Sequence, residues 1–452
     1  MRKRNTFIII GAVILVFTLA SGLYLYVTKP VLSDSRFVIY TGYSKTISLN
    51  GRYKAEKWAS ENCSVAEVEN GVITAVSPGK TKITVNAGKK QFACEVEVRE
   101  ARSPKFFSIV EEEKKWFFSQ QLSNGAFPNR SKENGEVSIN PYFSSLGIWC
   151  ILQCELTEEE INQIKEYVIW HFEHLNCKKD VNGIKGTIYD YKAQIEDGKV
   201  IKEYSKDSYD STDSYAAMFL AAVWKYYDIT KDADFVKMYE NEIRLVIDAM
   251  LSTMDKEYSY SRPDYKIVYL MDNTEVYEGL VSSEKILREI YEDSTESEKI
   301  VDRIDIFERK FNEVWWKNGY YSPYLNENLQ AKDEDFSWSN FYPDAVAQLM
   351  PIIFGLADEE KAQKVYEDFG KYRNWEDMDF VDNEESEFYW PLIMCAAAIM
   401  KDCDKTEKYI DNYLEKTLDK EYPLILSDCG WFIYGTNVLG NYYKSIEINS
   451  IK

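Results

Sequence analysis

The sequence predicts a multi-domain chain with an N-terminal transmembrane helix, a small all-β sandwich and an all-α (α/α)6 toroid, in which six antiparallel helical hairpins form a ring. Three observations predict this order. An uncharged apolar run lies near the N-terminus, short β-branched segments follow it, and the remaining sequence has helical periodicity. The length of 452 residues indicates two or more domains, and a hydrophobic content of 45% supplies their cores.

Residues 1–30 have the composition of a membrane anchor. The basic tip MRKR precedes an uncharged run from Thr6 to Thr28. Its apolar part, Phe7 to Val27, is long enough to cross a bilayer core of about 30 Å as a helix. A cleavable signal peptide is the alternative, but the apolar run continues past the candidate cleavage site LAS. We therefore predict a single-pass anchor in the cell membrane, with a cytoplasmic N-terminus and extracellular C-terminal domains.

Residues 31–100 predict the β sandwich. Segments such as FVIYTG, KTISL and TKITVNAG are short, rich in β-branched residues and separated by Gly or Asn turns. The stretch WASENCSVAEVENGVITAVSPGKTKITV, followed by CEVEV, resembles the bacterial Ig-like group 2 domain. The matching positions are Trp58, Val65, Ala66, Gly71, Ile73, Gly79, Thr81, Ile83 and Val85. The resemblance implies a spacer or adhesion module on a prokaryotic exterior. Whether Cys63 and Cys94 pair is left open.

The composition excludes several kinds of chemistry. The formal charge of −21 argues against a nucleic-acid partner. His171 and His174 are the only histidines, too few for a Ser-His-Asp site or a His-rich metal site, and we interpret them as surface residues of a helix. No D-x-D-x-D-G loop supports a calcium site, so the sequence predicts no metal and no cofactor. The 34 Tyr, 22 Phe and 11 Trp residues suit the stacking of sugars, and carboxylates are left as the chemical groups.

The sequence pattern of residues 103–452 predicts the toroid. Start signals include Thr157 before three glutamates and Thr295 in a capping-box pattern with Glu298. The connections between helices alternate between short and long, which predicts hairpins whose long loops gather on one face. The second, fourth, sixth, eighth, tenth and twelfth helices would then line the ring. The twelve predicted helices are residues 105–121, 141–153, 157–173, 210–229, 232–253, 272–292, 295–314, 341–355, 358–369, 384–400, 404–416 and 428–446.

Acidic residues concentrate where these inner helices begin, beside aromatic residues. Asp and Glu are common in any first helical turn, where each contributes about 0.3–1 kcal/mol. A cap needs only one acid, however, so the second acid of DSTD and of DNTE predicts a further role. The acids are Asp210, Asp213, Asp272, Glu275, Asp344, Glu385, Glu387 and Asp428, and the aromatic residues are Tyr142, Tyr215, Tyr277, Trp338, Phe341, Tyr342, Tyr389, Trp390 and Trp431.

The region from about 105 to 446 resembles the six-hairpin glycosidase superfamily. The phrases that carry the resemblance include GTIYDY, DSTDSYAAMFLAAVWKYY, RPDYKIVYLMDNTEVYEGL and NFYPDAVAQLMPIIFGL. The resemblance implies glycoside hydrolysis by an Asp or Glu acid and base in the toroid cleft, although related toroids act on uronides. No catalytic residue carries over from it.

Candidate site residues follow from position along the inner helices. We predict Asp213 and Asp272, on neighbouring inner helices, as the catalytic pair, and Asp210 as the cap of its helix. The predicted substrate-binding residues are Asp190, Asp210, Tyr215, Glu275, Trp338, Tyr342, Asp344, Trp390 and Trp431. The expected partner is a carbohydrate polymer or oligosaccharide, with the membrane bound through the N-terminal helix. Two alternatives remain open: uronide chemistry with Arg130 or Arg262 holding a substrate carboxylate, and glycan binding without cleavage.

Overall fold

The computed structural model describes residues 31–51, 54–130, 134–331, 336–378, 389–418 and 425–451. The chain divides into two compact units, Met1–Lys105 with Gly440–Lys452, and Phe106–Leu439. Among the helices of the described residues, none combines the length and apolar character needed to span a bilayer. The predicted anchor, residues 1–30, lies outside the described residues and stays a prediction.

The first unit contains the predicted sandwich. Its strands are β1 (Val31–Leu32), β2 (Arg36–Tyr40), β3 (Ser44–Thr46), β4 (Leu49–Asn50), β5 (Lys57–Ser60), β6 (Ala66–Glu69), β7 (Val72–Ala75), β8 (Gly79–Ala87) and β9 (Lys90–Arg99). One sheet has the order β2-β9-β8-β5, in which only the β2–β9 pair is parallel, and the other has the order β3-β7-β6. Alternate side chains of these strands point inward, as the period-two pattern predicts.

The sandwich core explains two positions of the Ig-like motif. Ile39, Ile73 and Ile83 are fully buried between the sheets, and Trp58 packs against this cluster. Gly71 has a φ of 88°, and a Cβ atom there would lie 2.5 Å from the Ile47 carbonyl oxygen. Only glycine therefore fits this turn beneath the Trp58 ring.

The second unit is helical over most of its length. The described residues contain α1 (Ser103–Ser119), α2 (Pro141–Ile151), α3 (Glu158–Glu173), α4 (Asp213–Thr230), α5 (Ala233–Met238), α6 (Glu240–Leu251), α7 (Leu270–Lys285), α8 (Ser294–Trp315), α9 (Met350–Ile353), α10 (Glu359–Tyr372), α11 (Leu392–Ile399), α12 (Cys403–Lys416) and α13 (Leu426–Asn449). A π-helical turn, Ile286–Ile290, extends α7, and another, Phe341–Ala345, precedes α9.

Inner and outer helices differ in how much of their surface is apolar. The inner helix α4 is buried continuously from Asp213 to Trp224, and α11 from Leu392 to Ala398. The outer helix α10 buries only a stripe, Ala362, Val365, Tyr366 and Phe369, as expected for an amphipathic helix with one face in water. The extent of apolar surface therefore separates these two inner helices from the outer helix α10.

The inner helices of the described residues close into a ring. Around it, α2 packs on α4, α4 on α7, α7 on α9, and α9 on α11. A Cβ atom at Gly435 would lie 2.9 Å from the Cys395 Cα atom, which places α13 against α11. A Cβ atom at Gly430 would lie 2.7 Å from the Gly147 Cα atom, so α13 also closes against α2. The predicted toroid is therefore the observed architecture.

Several predicted details are wrong. The helix predicted at 232–253 is two helices, α5 and α6, which meet at Tyr239. Helix α8 is capped by Asp293, whose carboxylate accepts the Glu296 N–H, rather than by Thr295. The long connections also contain an unpredicted antiparallel sheet of β10 (Gly135–Ile139), β11 (Tyr191–Glu196) and β12 (Lys199–Ser205).

The two histidines are not surface residues, contrary to prediction. His171 is 2% exposed, and its ring stacks on Phe219 of α4 at 3.5 Å. Burial lowers the pKa of His171 well below its usual value. His174 is half-buried, with its Nε2 atom 2.9 Å from the Glu203 carboxylate. Both rings therefore join α3 to its neighbours. Cys63 and Cys94 are both free thiols.

Candidate active site

The starts of the inner helices surround a cavity of about 420 Å³, here called the first chamber. The ring order places α4 and α7 on one side of it and α11 and α13 on the other. Its lining includes Asn140, Tyr142, Asp210, Tyr215, Asp272, Glu275, Tyr342, Trp390, Asp428 and Trp431. A second chamber of about 390 Å³ adjoins it, since the two share Asp210, Met271, Asp272 and Tyr342.

Two acids in the first turns of α7 face the first chamber together. Asp272 and Glu275 are three residues apart, which puts them on one face of the helix. Burial raises the pKa of Glu275 to about 8, although its hydrogen bond with Tyr142 opposes the shift. Burial, with the charges of Asp213, Glu275 and Asp210, raises the pKa of Asp272 well above its usual value. At neutral pH this wall of the chamber therefore holds protonated carboxyl groups.

Two tyrosines support this wall. The Tyr142 hydroxyl donates to Glu275 Oε1 at 2.7 Å, and its ring stacks on Tyr215 with centroids 5.5 Å apart. The Tyr215 hydroxyl donates to Asp190 Oδ1 at 3.0 Å and accepts from the Asn140 amide at 2.8 Å. Both rings are thereby fixed. Glu275 Oε2, in contrast, is buried without a hydrogen-bond partner among the described residues.

The structure reverses the prediction that Asp210 caps its helix and that Asp213 faces the centre of the ring. Helix α4 begins at Asp213, and Thr212 occupies the cap position, so Asp210 does not cap the helix. Asp210 is exposed and lines both chambers. Asp213 is 0% exposed and lines neither; its carboxylate accepts from the Ser259 hydroxyl at 2.7 Å and the Ser214 N–H at 2.8 Å. Burial is the main cause that raises its pKa to about 7.

The opposite wall is aromatic. Trp390 and Trp431 line it, and Tyr342 packs on Trp390 with ring centroids 5.0 Å apart. Trp390 has a φ of 53°, a left-handed conformation that is unfavourable for a bulky residue. The Asp428 carboxylate accepts the Tyr389 N–H at 2.8 Å beside this strained residue. Burial raises the pKa of Asp428 to about 7, although the Tyr389 and Trp390 amides lower it.

The remaining predicted site residues lie elsewhere. Asp190 reaches the site only through Tyr215, while Trp338 and Asp344 line neither chamber. Asp344 is buried and accepts the Ser337 N–H at 2.9 Å, and the Trp338 ring stacks on Tyr372. The predicted acids Glu385 and Glu387 lie outside the described residues.

Asn140 and Tyr142 were not among the predicted site residues, although Tyr142 is one of the aromatic residues noted at the starts of the inner helices. Both belong to NPYF at the start of the first inner helix, which contains no acid. Their positions at the same helical mouth as the acids were a usable signal. Within the described ranges, no three His, Cys, Asp or Glu side chains are grouped so that they could hold a metal ion.

Arg262, the candidate for holding a substrate carboxylate, is engaged by its own chain. Its Nη1 atom donates to the carbonyl oxygens of Tyr209 and Asp210, at 3.0 and 3.2 Å. Its Nε atom donates to Asp264 Oδ1 at 3.0 Å. Arg262 therefore fixes the backbone that presents Asp210, and its charge is paired with a carboxylate.

Comparison with known proteins confirms the first resemblance. Residues 35–98 match the bacterial Ig-like domain (group 2). No curated protein matches the chain in sequence.

Solved structures that resemble the chain include several glycosidases. A wild-type glycosidase aligns with a TM-score of 0.49 and 11% identity over 77% of this chain and 98% of its own. An inactive α-1,6-mannanase of a Salegentibacter species, in complex with α-1,6-mannotetrose, aligns with a TM-score of 0.44 and 11% identity over 74% and 99%. A rhamnosidase from Klebsiella oxytoca with rhamnose bound aligns with a TM-score of 0.46 and 9% identity over 82% and 71%. The toroid is evident from the chain's own closed ring, and these likenesses add nothing about its chemistry.

Proposed function

We propose that this protein is a glycoside hydrolase that cleaves a polysaccharide or cell-envelope glycan by carboxylate acid–base catalysis. One observation carries the proposal: carboxyl groups with raised pKa values meet at a cavity whose opposite wall is aromatic. Glycoside cleavage needs a protonated acid at the leaving oxygen and a second carboxylate that acts as base or nucleophile. Aromatic rings supply flat apolar surfaces for the C–H faces of a sugar.

Asp272 is proposed as the general acid. It lines both chambers, so a glycosidic bond that crosses their boundary would meet it. Its raised pKa keeps the proton on the carboxyl group at neutral pH, ready for transfer to the glycosidic oxygen as the C–O bond breaks. Asp210, exposed at the same boundary, is proposed as the second carboxylate, which activates water or attacks the anomeric carbon.

Asp213 is proposed as a residue that tunes Asp272 rather than as its catalytic partner. Its carboxylate is buried behind the chamber wall, and its hydrogen bonds are made with Ser259 and Ser214. Among the neighbouring charges, that of Asp213 contributes most to the raised pKa of Asp272. The sequence-based pair of Asp213 and Asp272 therefore stays an alternative that substitution can decide.

The test is release of new reducing ends from a panel of plant and envelope glycans by the purified protein. We expect cleavage of at least one glycan by the natural protein and none by Asp272→Asn. Binding of a glycan without release of reducing ends, at any pH from 5 to 8, would instead support the alternative of a glycan-binding surface protein.

We also propose that residues 1–30 anchor the protein in the cell membrane with the toroid outside. The basic tip and the apolar run of the sequence support this topology. A protease added to intact cells should then remove the toroid while leaving a cytoplasmic marker protein whole. Protection of the toroid would rule the topology out.

A further inference from the structure

We infer that the second chamber binds a further sugar unit, neutral in charge, so that the substrate spans both chambers and the bond over Asp272 is the one cleaved. This inference rests on the proposed function. The substrate is then a neutral oligosaccharide or polysaccharide of at least two units. A uronide, or a single sugar with any leaving group, would not meet this requirement.

The first support is the shared boundary. Asp210 and Asp272 belong to the lining of both chambers, so these two acids lie at the boundary between the chambers. A ligand confined to the first chamber would place the acids at its edge. A ligand that continues into the second chamber would place them beside an internal linkage, which is the position that acid catalysis of glycoside cleavage requires.

The second support is a pair of exposed tyrosines at the second chamber. Tyr265 is 47% exposed and Tyr342 is 56% exposed, and both rings line the chamber. The Tyr265 hydroxyl lies 3.1 Å from that of Tyr269, and backbone hydrogen bonds between Arg262 and Tyr265 hold the tight turn that carries the ring. An exposed ring held in place loses little conformational freedom on binding, which favours stacking of a sugar.

The third support is the charge of the second chamber, which selects against acidic sugars. The Asp210 carboxylate lines it, and Asp264 lies beside it on the turn. Arg262 is the cation of the lining, but it is paired with Asp264 and donates to two backbone carbonyl oxygens. A uronate carboxylate would therefore meet acids without a matching free cation, whereas hydroxyl groups could bond to acids and to Ser261 alike.

The experiment compares two substrate types in Tyr265→Ala and Tyr265→Phe. The substrates are neutral gluco-, manno- and xylo-oligosaccharides of two to six units and the glycosyl fluorides of the same single sugars, whose leaving group is too small to fill the second chamber. We expect Tyr265→Ala to lower kcat/KM for the cleaved oligosaccharide about tenfold, as loss of one aromatic contact does. Tyr265→Phe should restore it, and the glycosyl fluoride should change less than twofold in both variants. Tyr204→Ala, which removes an exposed tyrosine outside both chambers, is the matched control.

Equal losses with both substrate types, or no loss with either, would overturn the inference, as would faster cleavage of oligogalacturonates than of any neutral chain. If no glycan is cleaved at all, the proposed function fails while the chamber can still be tested. Calorimetric titration with the same oligosaccharides would then show binding that weakens in Tyr265→Ala. Equal binding by the natural protein and Tyr265→Ala, or no binding by either, would also contradict the inference.

Discussion

The two walls of the first chamber carry the same residue type with different surroundings. On one side, Asp272 and Glu275 face the cavity, and the pKa of Asp272 is raised by burial and by neighbouring carboxylates. On the other side, Asp428 also begins an inner helix and is also buried, but backbone amides oppose the shift in its pKa. The comparison teaches that acids at the mouths of inner helices have two kinds of surroundings, other carboxyl groups around Asp272 and backbone amides around Asp428. Only the first kind matches the acid–base chemistry proposed for this site.

The largest expected effect comes from the acid wall. Asp272→Asn should lower kcat about 10³-fold, because an amide cannot donate a proton to the leaving oxygen. Steady-state hydrolysis of the glycan found in the panel measures this. Asp428→Asn makes the same chemical change on the opposite wall and should keep most of the activity. If the two variants lost activity equally, the distinction between the walls would fail.

Next in size is removal of the Asp428 side chain. Asp428→Ala should lower kcat/KM about 10- to 100-fold, because the Tyr389 N–H loses its acceptor and the left-handed Trp390 is no longer held beneath the sugar. Asp428→Asn keeps an acceptor oxygen and should restore activity. Kinetics of both variants on one oligosaccharide decide the matter. Loss in the Asn variant as complete as in the Ala variant would make Asp428 a catalytic acid.

A smaller effect is expected at Asp213, mainly on pH dependence. Activity requires protonated Asp272 and should therefore be lost as pH rises through the pKa of Asp272. Asp213→Asn removes a negative charge that raises this pKa, so the high-pH limb of the kcat profile should move to lower pH. The loss of kcat at the optimum should be about tenfold or less, because Asp213 lines neither chamber. A loss as large as that of Asp272→Asn, with an unmoved limb, would support the sequence-based catalytic pair.

The last expected effect is on stability and leaves the chemistry aside. The folded-state pKa of Glu275, about 8, lies above its ordinary value, so the folded state binds more protons between these two values. Stability is therefore lost as pH rises through this window, by at most about 1.4 kcal/mol per pH unit for one group. Glu275→Gln should remove this dependence.

Denaturant unfolding of the natural protein and of Glu275→Gln at pH 5 and pH 8 measures this difference. The variant should gain stability relative to the natural protein at the higher pH. Glu289→Gln, which changes an exposed glutamate of the π-helical turn that extends the same helix, outside the lining of both chambers, is the control. An unchanged difference between the two pH values would show that Glu275 is ionised in the folded protein.

The sequence predicted much of the fold because its signals are periodic and repeated. The outer helix α10 has a single apolar stripe, whereas the inner helix α4 is buried on nearly all sides, and the alternation of connection lengths orders the helices into hairpins. The acids at the inner mouths could be found for the same reason. Two histidines were misplaced because the apolar partner of His171, Phe219, lies on another helix.

The roles of individual acids could not be read in the same way. The start of α4 was predicted at residue 210 but lies at Asp213, and each residue turns a helix by about 100°. An error of three residues in the predicted helix start therefore changes which acid, Asp210 or Asp213, is expected to face the cavity. The amides that surround Asp428 belong to Tyr389 and Trp390, far away in the chain, so no local pattern reveals them.

The contact between Gly147 and Gly430 has a consequence for synthesis on the ribosome. The second of these glycines is made nearly three hundred residues after the first, and no side chain can stand between them. Until α13 leaves the exit tunnel, the flank of α2 around Gly147 lacks its contact with Gly430, and the ring of inner helices stays open. Chaperone capture of nascent chains should therefore persist until the last inner helix has emerged, however early the first hairpins fold.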